Sequence, residues 1–558
     1  MKTLICLSAL VLAPCLSLSA QTAGGEWETL LQLEGANAGD GFGYSLAVGP
    51  DMDGDGYPEM AVCSLAYKDS LGREVGQVEL RSGKTGIALW AFQPIYTPDN
   101  TRIGEEVDFI PDLNGDGIAD IISSSWQALD YRGKVFILSG ADGSLIRVHE
   151  GVYGYASFLG ERLGKGVMGI ADIDSDGFGD YLYSAVRSDG FGGVELVGRI
   201  DCRSGHSGQL LWQTYGTFTS EELGETLAEG PDFNGDSVPD IISSSLHHYV
   251  ALIDPTNGQV LNNYQSLTGL PFEAFGNSVA STSDLDGDLL ADIAIGASNA
   301  DTGLSSAAGY VVVVSSSTGM PIWQHDGGIY LGAFGHSIFN IGDLNQDEFD
   351  DIAVYEPGNA AAQLRVLSGA DGRLLWDIYG WEFPNAGFGQ AVAAADRTGD
   401  GIPELFVGDS AWDSLGWQYS SSYFGGVRVL SFQPFLYGET STLSVSQPSS
   451  LSLRLDFPDT EAGKPFAVLA SAAGNLTTVI RGLEIPLVVD SYFQSTVQAP
   501  PSSFRGSLDS NGDGLVSVIV PPARVAPLLG STLYFAAITA GGGQARLSSV
   551  AVPVTVVQ

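Results

Sequence analysis

The chain has 558 residues, with 66 Asp and Glu against 24 Lys and Arg, for a net charge of −42. An acidic balance of that size argues against nucleic acid and anionic membrane surfaces as partners. Beyond the first 20 residues no apolar run reaches the length that spans a bilayer, which excludes a membrane-spanning helix there.

Residues 1–20 have the outline of a signal peptide. Lys2 supplies the positive start, Leu4 to Leu18 form the apolar core, and small residues precede Gln21. The expected location is therefore secreted or at the cell surface. Cys63 and Cys202 lie far apart in the remaining chain and are expected as two small buried thiols rather than a disulfide.

From about residue 40 one pattern recurs seven times. Its marker is an acidic loop: DMDGDGYPE, DLNGDGIAD, DIDSDGFGD, DFNGDSVPD, DLDGDLLAD, DLNQDEFDD and DRTGDGIPE, starting at Asp51, Asp112, Asp172, Asp232, Asp284, Asp343 and Asp396. A fixed period of this kind signals a repeat architecture. Each unit opens on Phe-Gly or Leu-Gly, as in GFGYSLAV, ELGETLAEG and AFGNSVAS. The loop follows, then an apolar run such as MAVCS or IISSS. A third and a fourth strand flank a turn of the SG-x-x-G kind, as in VELRSGKTGIALW. Four strands per unit, seven times over, predict an all-β fold: a seven-bladed β-propeller over residues 21–436. The last unit ends after its third strand, and EWETLLQLEG precedes the first, so that N-terminal strand is expected to complete blade 7 and close the ring.

The acidic loops read as calcium sites. Oxygen side chains stand at loop positions 1, 3, 5 and 9, and hard oxygen ligands at flexible spacing suit Ca²⁺. The ligands so placed are Asp51, Asp53, Asp55 and Glu59; Asp112, Asn114, Asp116 and Asp120; Asp172, Asp174, Asp176 and Asp180; Asp232, Asn234, Asp236 and Asp240; Asp284, Asp286, Asp288 and Asp292; Asp343, Asn345, Asp347 and Asp351; and Asp396, Asp400 and Glu404. Up to seven Ca²⁺ ions are expected. No loop holds Cys or His, against zinc and copper. Position 12 is never acidic and a strand-like run follows, against an EF-hand. Ser237, Leu289 and Glu348 replace the usual glycine at position 6, which sets loops four to six apart, and Thr398 replaces an acid or amide at position 3, so the seventh site is expected to be weaker.

With these residues in view, the units resemble the FG-GAP repeats of the integrin α-subunit propeller, and equally those of bacterial secreted FG-GAP proteins. The FG start, the acidic loop and the GAP-like Gly296-Ala297-Ser298 carry the resemblance. It implies calcium on one face of a disc and ligand on the other.

Residues 437–558 shift to Ser, Val, Leu and Pro with short alternating runs such as SLSLRLDF, and are expected as a β-sandwich. The six histidines are scattered and no nucleophile, phosphate-loop or zinc motif appears, so no catalytic residue is assigned. Long loops on a rigid scaffold carry function. The aromatic run with Trp412, Trp417, Tyr419 and Tyr423 is the expected ligand contact. The sequence reads as an adhesion or recognition protein for an extracellular protein or glycan. A polysaccharide-active enzyme and a structural surface component are the alternatives, because a propeller serves all three.

Overall fold

The computed structural model describes residues 25–558, apart from 96–100, 155–158, 191–193, 246–248, 267–272, 303–304, 358–362, 380–386, 411–423, 439, 475–477, 481–482, 499–501 and 542–543. Seven four-stranded antiparallel sheets account for most of it. Blade 1 holds Phe42–Val48, Met60–Ser64, Gln77–Arg81 and Ala88–Phe92. Blades 2 to 6 repeat that order and open on Val107–Ile110, Leu163–Ile170, Leu223–Glu229, Phe275–Ser281 and Ser337–Asn340. Blade 7 has Phe388–Ala395, Glu404–Asp409 and Gly426–Pro434. Its fourth strand comes from the other end of the chain: Gly25–Glu34 pairs antiparallel with Gly426–Pro434, Trp27 opposite Phe432.

The first strands of successive blades pack side by side, and that of blade 7 packs on that of blade 1, so the ring closes. The second strands read as unbroken apolar or small runs because both faces are covered. Met60–Ser64, Asp120–Ser125 and Ile352–Glu356 are buried at every residue. The propeller core is divided among the blade interfaces. Ala61, Val78 and Leu80 of blade 1 meet Ile121, Phe136 and Leu138 of blade 2. At the closure, Phe42, Leu46 and Val62 meet Phe406, Val427 and Val429. A strand on each side of the seam shields what would be an edge.

The opening dipeptide of each unit locks neighbouring blades together. The backbone of its first residue bridges to a glycine of the preceding blade: Ile103 to Gly76, Leu163 to Gly133, Leu223 to Gly198, Phe334 to Gly309 and Phe42 to Gly425. A Cβ on Gly133 would stand 2.2 Å from the Leu163 carbonyl oxygen, and one on Gly76 2.1 Å from that of Ile103. Only glycine permits that approach. Blade 2 uses Ile103-Gly104 here, a pair that a search for Phe-Gly or Leu-Gly passes over. Tryptophans of fourth strands add a second tie. The Trp90, Trp212 and Trp323 Nε1 groups each donate at 2.7 Å to a carbonyl in the next blade's third turn, at Gly140, Pro255 and Gly369. Trp376 of blade 6 instead packs on Phe432 and edge-on against Trp27, at 4.4 and 5.7 Å between ring centroids.

After Pro434 two sheets face each other. One holds Leu436–Gly438, Ser449–Asp456 and Asp513–Val520; the other holds Thr442–Ser444, Val552–Val557, Thr532–Gly541, Pro465–Ser471 and Arg505–Ser507. Leu451, Leu453, Leu455 and Val516 of the first share a core with Val468, Phe535 and Val554 of the second. The pairing of Thr442–Ser444 with Val552–Val557 is parallel. Cys63 and Cys202 are free and buried, as their positions predicted.

Two glycines with similar φ separate conformation from space. Gly54 has φ +80° and nothing within 4 Å of an added Cβ, whereas Gly133 has φ +90° and a carbonyl at 2.2 Å. Gly54→Ala is expected to cost about 1–2 kcal/mol, the left-handed penalty alone. Gly133→Ala is expected to cost about 3–5 kcal/mol, because overpacking adds to it. Urea unfolding of the two variants measures the difference.

Candidate metal centres

Each acidic loop joins the first strand of a blade to the second, so all seven lie at one end of the blades, beside the third turns. Their backbone is one repeated turn. The position 1 carboxylate accepts the N–H of position 6: Gly56 to Asp51 at 2.8 Å, Gly117 to Asp112 at 2.7 Å and Gly177 to Asp172 at 2.9 Å. Ser237, Leu289, Glu348 and Gly401 make the same bond to Asp232, Asp284, Asp343 and Asp396 at 2.7–2.9 Å. Position 6 has positive φ whether or not it is glycine: +88° at Gly56, but also +71° at Ser237, +75° at Leu289 and +74° at Glu348. The three non-glycine loops therefore keep the turn at a left-handed cost of about 1–2 kcal/mol each.

Position 9 is the buried floor. Glu59, Asp120, Asp180, Asp240, Asp292, Asp351 and Glu404 are all 0% exposed. One carboxylate oxygen accepts the N–H of position 2, as from Leu113 to Asp120 at 2.8 Å and from Ile173 to Asp180 at 2.9 Å. Met52 donates to Glu59 in the same way. The other oxygen reaches the third turn of the same blade, accepting from Gly140, Gly205, Ser316 and Gly369 N–H groups at 2.9–3.2 Å. In blade 7 the Ser431 hydroxyl takes that role on Glu404 at 3.0 Å. Blade 4 breaks the rule for a covalent reason. Pro255 stands where the glycine would be and has no N–H, so Asp240 Oδ1 is buried without a partner. Glu59 Oε1 is orphaned as well.

Burial pushes these acids up. Glu59 rises to about 7, and Asp120, Asp240 and Asp292 to about 6, with neighbouring carboxylates adding to the burial effect. Asp180 and Glu404 are raised for the same first reason.

Three loops bring acids together. Asp51, Asp53, Asp55 and Glu59 place ligand oxygens within 4.8 Å of one another, as do Asp172, Asp174 and Asp180, and Asp284, Asp286 and Asp292. Asp176 and Asp288 fall outside those groups. Loops 2, 4, 6 and 7 form no such acid group among the described residues. Three of them carry an amide at position 3. Asn114 there donates to Asp120 Oδ1 at 3.3 Å, and Asn345 to Asp351 Oδ1 at 3.0 Å. In loop 7 the Thr398 hydroxyl donates to Glu404 Oε1 at 3.3 Å. The donor set fits a hard divalent cation: acid clusters on a buried floor, with two buried oxygens that protein groups leave unpaired.

The expected ligand residues Trp412, Trp417, Tyr419 and Tyr423, the pair His247 and His248, and residues 1–20 lie outside the described residues. Two histidines outside the motifs have partners in the packing: His149 Nε2 is 2.8 Å from the Tyr181 hydroxyl and His325 Nδ1 2.8 Å from the Gly372 carbonyl. No helix among the described residues is long and apolar enough to cross a membrane.

The fold and its acidic loops define a class, a β-propeller of four-stranded blades with carboxylate clusters along one face. Comparison with known proteins specifies the repeat. Residues 42–65 match the FG-GAP repeat. The chain is 29% identical to integrin alpha-V of Gallus gallus over 211 residues, 34% of this chain and 20% of that protein. It is 26% identical to integrin alpha-5 of Xenopus laevis over 278 residues, 45% and 26% of the two chains. With integrin alpha-8 of Mus musculus it shares 32% identity over 155 residues, 26% and 14%. The chain thus spans about a quarter or less of these relatives' lengths. It is a β-propeller that carries an FG-GAP repeat and resembles the integrin α chains.

Leu289→Gly tests the position 6 geometry. The leucine side chain is 90% exposed, so little packing is lost. Relief of the left-handed strain, less the entropy glycine adds to the unfolded chain, should stabilise the protein by about 0.5–1 kcal/mol. Chemical denaturation of the two proteins reads the change.

Proposed function

We propose that this chain is an exported, calcium-stabilised recognition protein that binds an extracellular protein or glycan through the propeller face opposite its acidic loops. The observation that carries the calcium assignment is the buried position 9 floor, with Glu59 Oε1 and Asp240 Oδ1 unpaired beneath further carboxylates. Ca²⁺ would be held by the oxygens of positions 1, 3, 5 and 9, and would supply the positive charge that the clustered carboxylates lack. Similarity to integrin α chains supports ligand binding or adhesion. With the metal loops at one end of the blades, the loops between second and third strands and those between blades are left for ligand. Among them the 409–426 segment, with Trp412, Trp417, Tyr419 and Tyr423, is the proposed contact. Residues 1–20 would direct export and be removed.

A cation that binds only the folded chain stabilises it by mass action, about 2.7 kcal/mol per site when free ion exceeds Kd a hundredfold. EDTA should lower the melting temperature, Ca²⁺ should restore it, and Mg²⁺ at the same concentration should do so less well. Melting that is unchanged by EDTA in a protein shown to be metal-free beforehand refutes the calcium assignment. Binding to arrayed extracellular proteins and glycans, compared with and without EDTA, tests recognition separately.

A further inference from the structure

Basic residues are scarce in this chain, 24 Lys and Arg among 558 residues. Four of them converge where blades 2 and 3 meet, on the face opposite the acidic loops. Arg132 lies on the segment between the second and third strands of blade 2. Arg162 and Lys165 lie at the entry to blade 3, and Arg187 follows its second strand. Aromatic rings hold most of them. The Arg162 guanidinium lies 5.1 Å from the Trp126 ring and 5.6 Å from that of Tyr131. Lys165 Nζ lies 5.4 Å from Trp126, and the Arg132 guanidinium 5.2 Å from Tyr153.

The cations are incompletely answered. Lys165 pairs with Glu225 at 3.2 Å. Among the described residues Arg187 reaches an acid only at 3.7 Å, in Glu222, and its Nε is buried without a hydrogen-bond partner. Arg162 Nε is likewise buried and unpartnered. Burial, and then the charge of Arg187, work against the Arg162 cation, while Glu222 and Glu225 offset only part of this. Around these groups Tyr131, Val152, Tyr153 and Leu159 are 45–56% exposed. The supporting loop is built under strain: Leu129, Asp130 and Tyr131 have consecutive left-handed φ values of +57°, +56° and +66°. It is pinned to blade 3 where Arg162 N–H donates to the Tyr131 carbonyl at 2.9 Å.

We propose that this Arg162-centred patch binds a protein segment that presents an Asp or Glu carboxylate beside an apolar side chain. The guanidinium supplies the planar fork that carboxylates pair with, and Tyr131, Tyr153, Val152 and Leu159 supply the apolar surround. Two observations favour a peptide over an acidic glycan. The faces of Trp126, Tyr131 and Tyr153 already carry cations, which leaves them poorly placed to stack on sugar rings. The chain's charge of −42 also repels an extended polyanion more than it repels a single carboxylate. The inference rests on the recognition reading above and adds to its 409–426 contact a second site with a partner of its own.

The test pans a phage-displayed random peptide library on the full chain in Ca²⁺. Enriched peptides are expected to carry Asp or Glu next to an apolar residue. They should bind Arg162→Gln and Tyr153→Ser at least roughly tenfold more weakly, and Arg162→Lys at an intermediate level. Melting temperatures identify any variant that has lost its fold. Tyr153→Ser, at an exposed position, keeps the test decisive if Arg162→Gln unfolds. Enriched peptides without acids, or peptides that bind both variants as well as the parent, overturn this site and leave recognition elsewhere intact. An empty selection overturns the peptide assignment, while the array experiment above decides recognition itself. Polygalacturonate binding that is lost in the same variants makes the patch a glycan site and overturns the peptide assignment.

Discussion

The structure turns on a carboxylate buried at the mouth of each second strand. An acid at 0% exposure is costly unless both oxygens are occupied. In Asp120, Asp180, Asp292 and Asp351 they are: one oxygen takes a loop N–H and the other an N–H of the third turn. The loop is thereby part of the blade. The path continues outward, because the Gly140 whose N–H serves Asp120 offers its carbonyl to Trp90 of blade 1. Gly369 does the same between Asp351 and Trp323 of blade 5. A floor carboxylate is thereby linked to the adjacent blade through a single glycine residue.

Much of this was legible in the sequence because it depends on local chemistry. The acidic loops, the glycine turns and the four-strand period each follow from short motifs. Ring closure was legible too, from a strand missing at one end and spare at the other. Trp27 opposite Phe432 is what that count requires. What escaped was non-local. Ile103-Gly104 fills the Phe-Gly slot of blade 2 because the slot needs a backbone bridge and a glycine, and the first side chain is free to vary. The substitutions at Ser237, Leu289 and Glu348 suggested altered loops, yet the bond to position 1 holds each residue left-handed. The orphaned oxygen of Asp240 follows from Pro255, fifteen positions further on, and only the folded blade brings the two together. The four basic residues between blades 2 and 3 likewise come from three separate segments.

Loop 6 shows how the C-terminal sheets change a site in a way that its motif does not reveal. Val550 shares a core with Ile341, Leu344 and Ile402, which flank or belong to loops 6 and 7. Gln346 and Asp400 line a cavity with Tyr437 and Val552. Under this cover Asn345 and Asp347 are 7% and 8% exposed, whereas Asp51 and Asp53 of loop 1 are open to solvent. Burial, then the Asp347 charge, raises Asp343 to about 7, and Asp351 is pushed well above the usual carboxylate range. Three carboxylates so enclosed require a proton or a cation among them, because water cannot screen their repulsion. The same burial reaches across the junction: the Tyr534 hydroxyl is raised first by its own burial and then by Glu348 and Asp347. The charge state of loop 6 and the packing of the C-terminal sheets on it are thus one equilibrium.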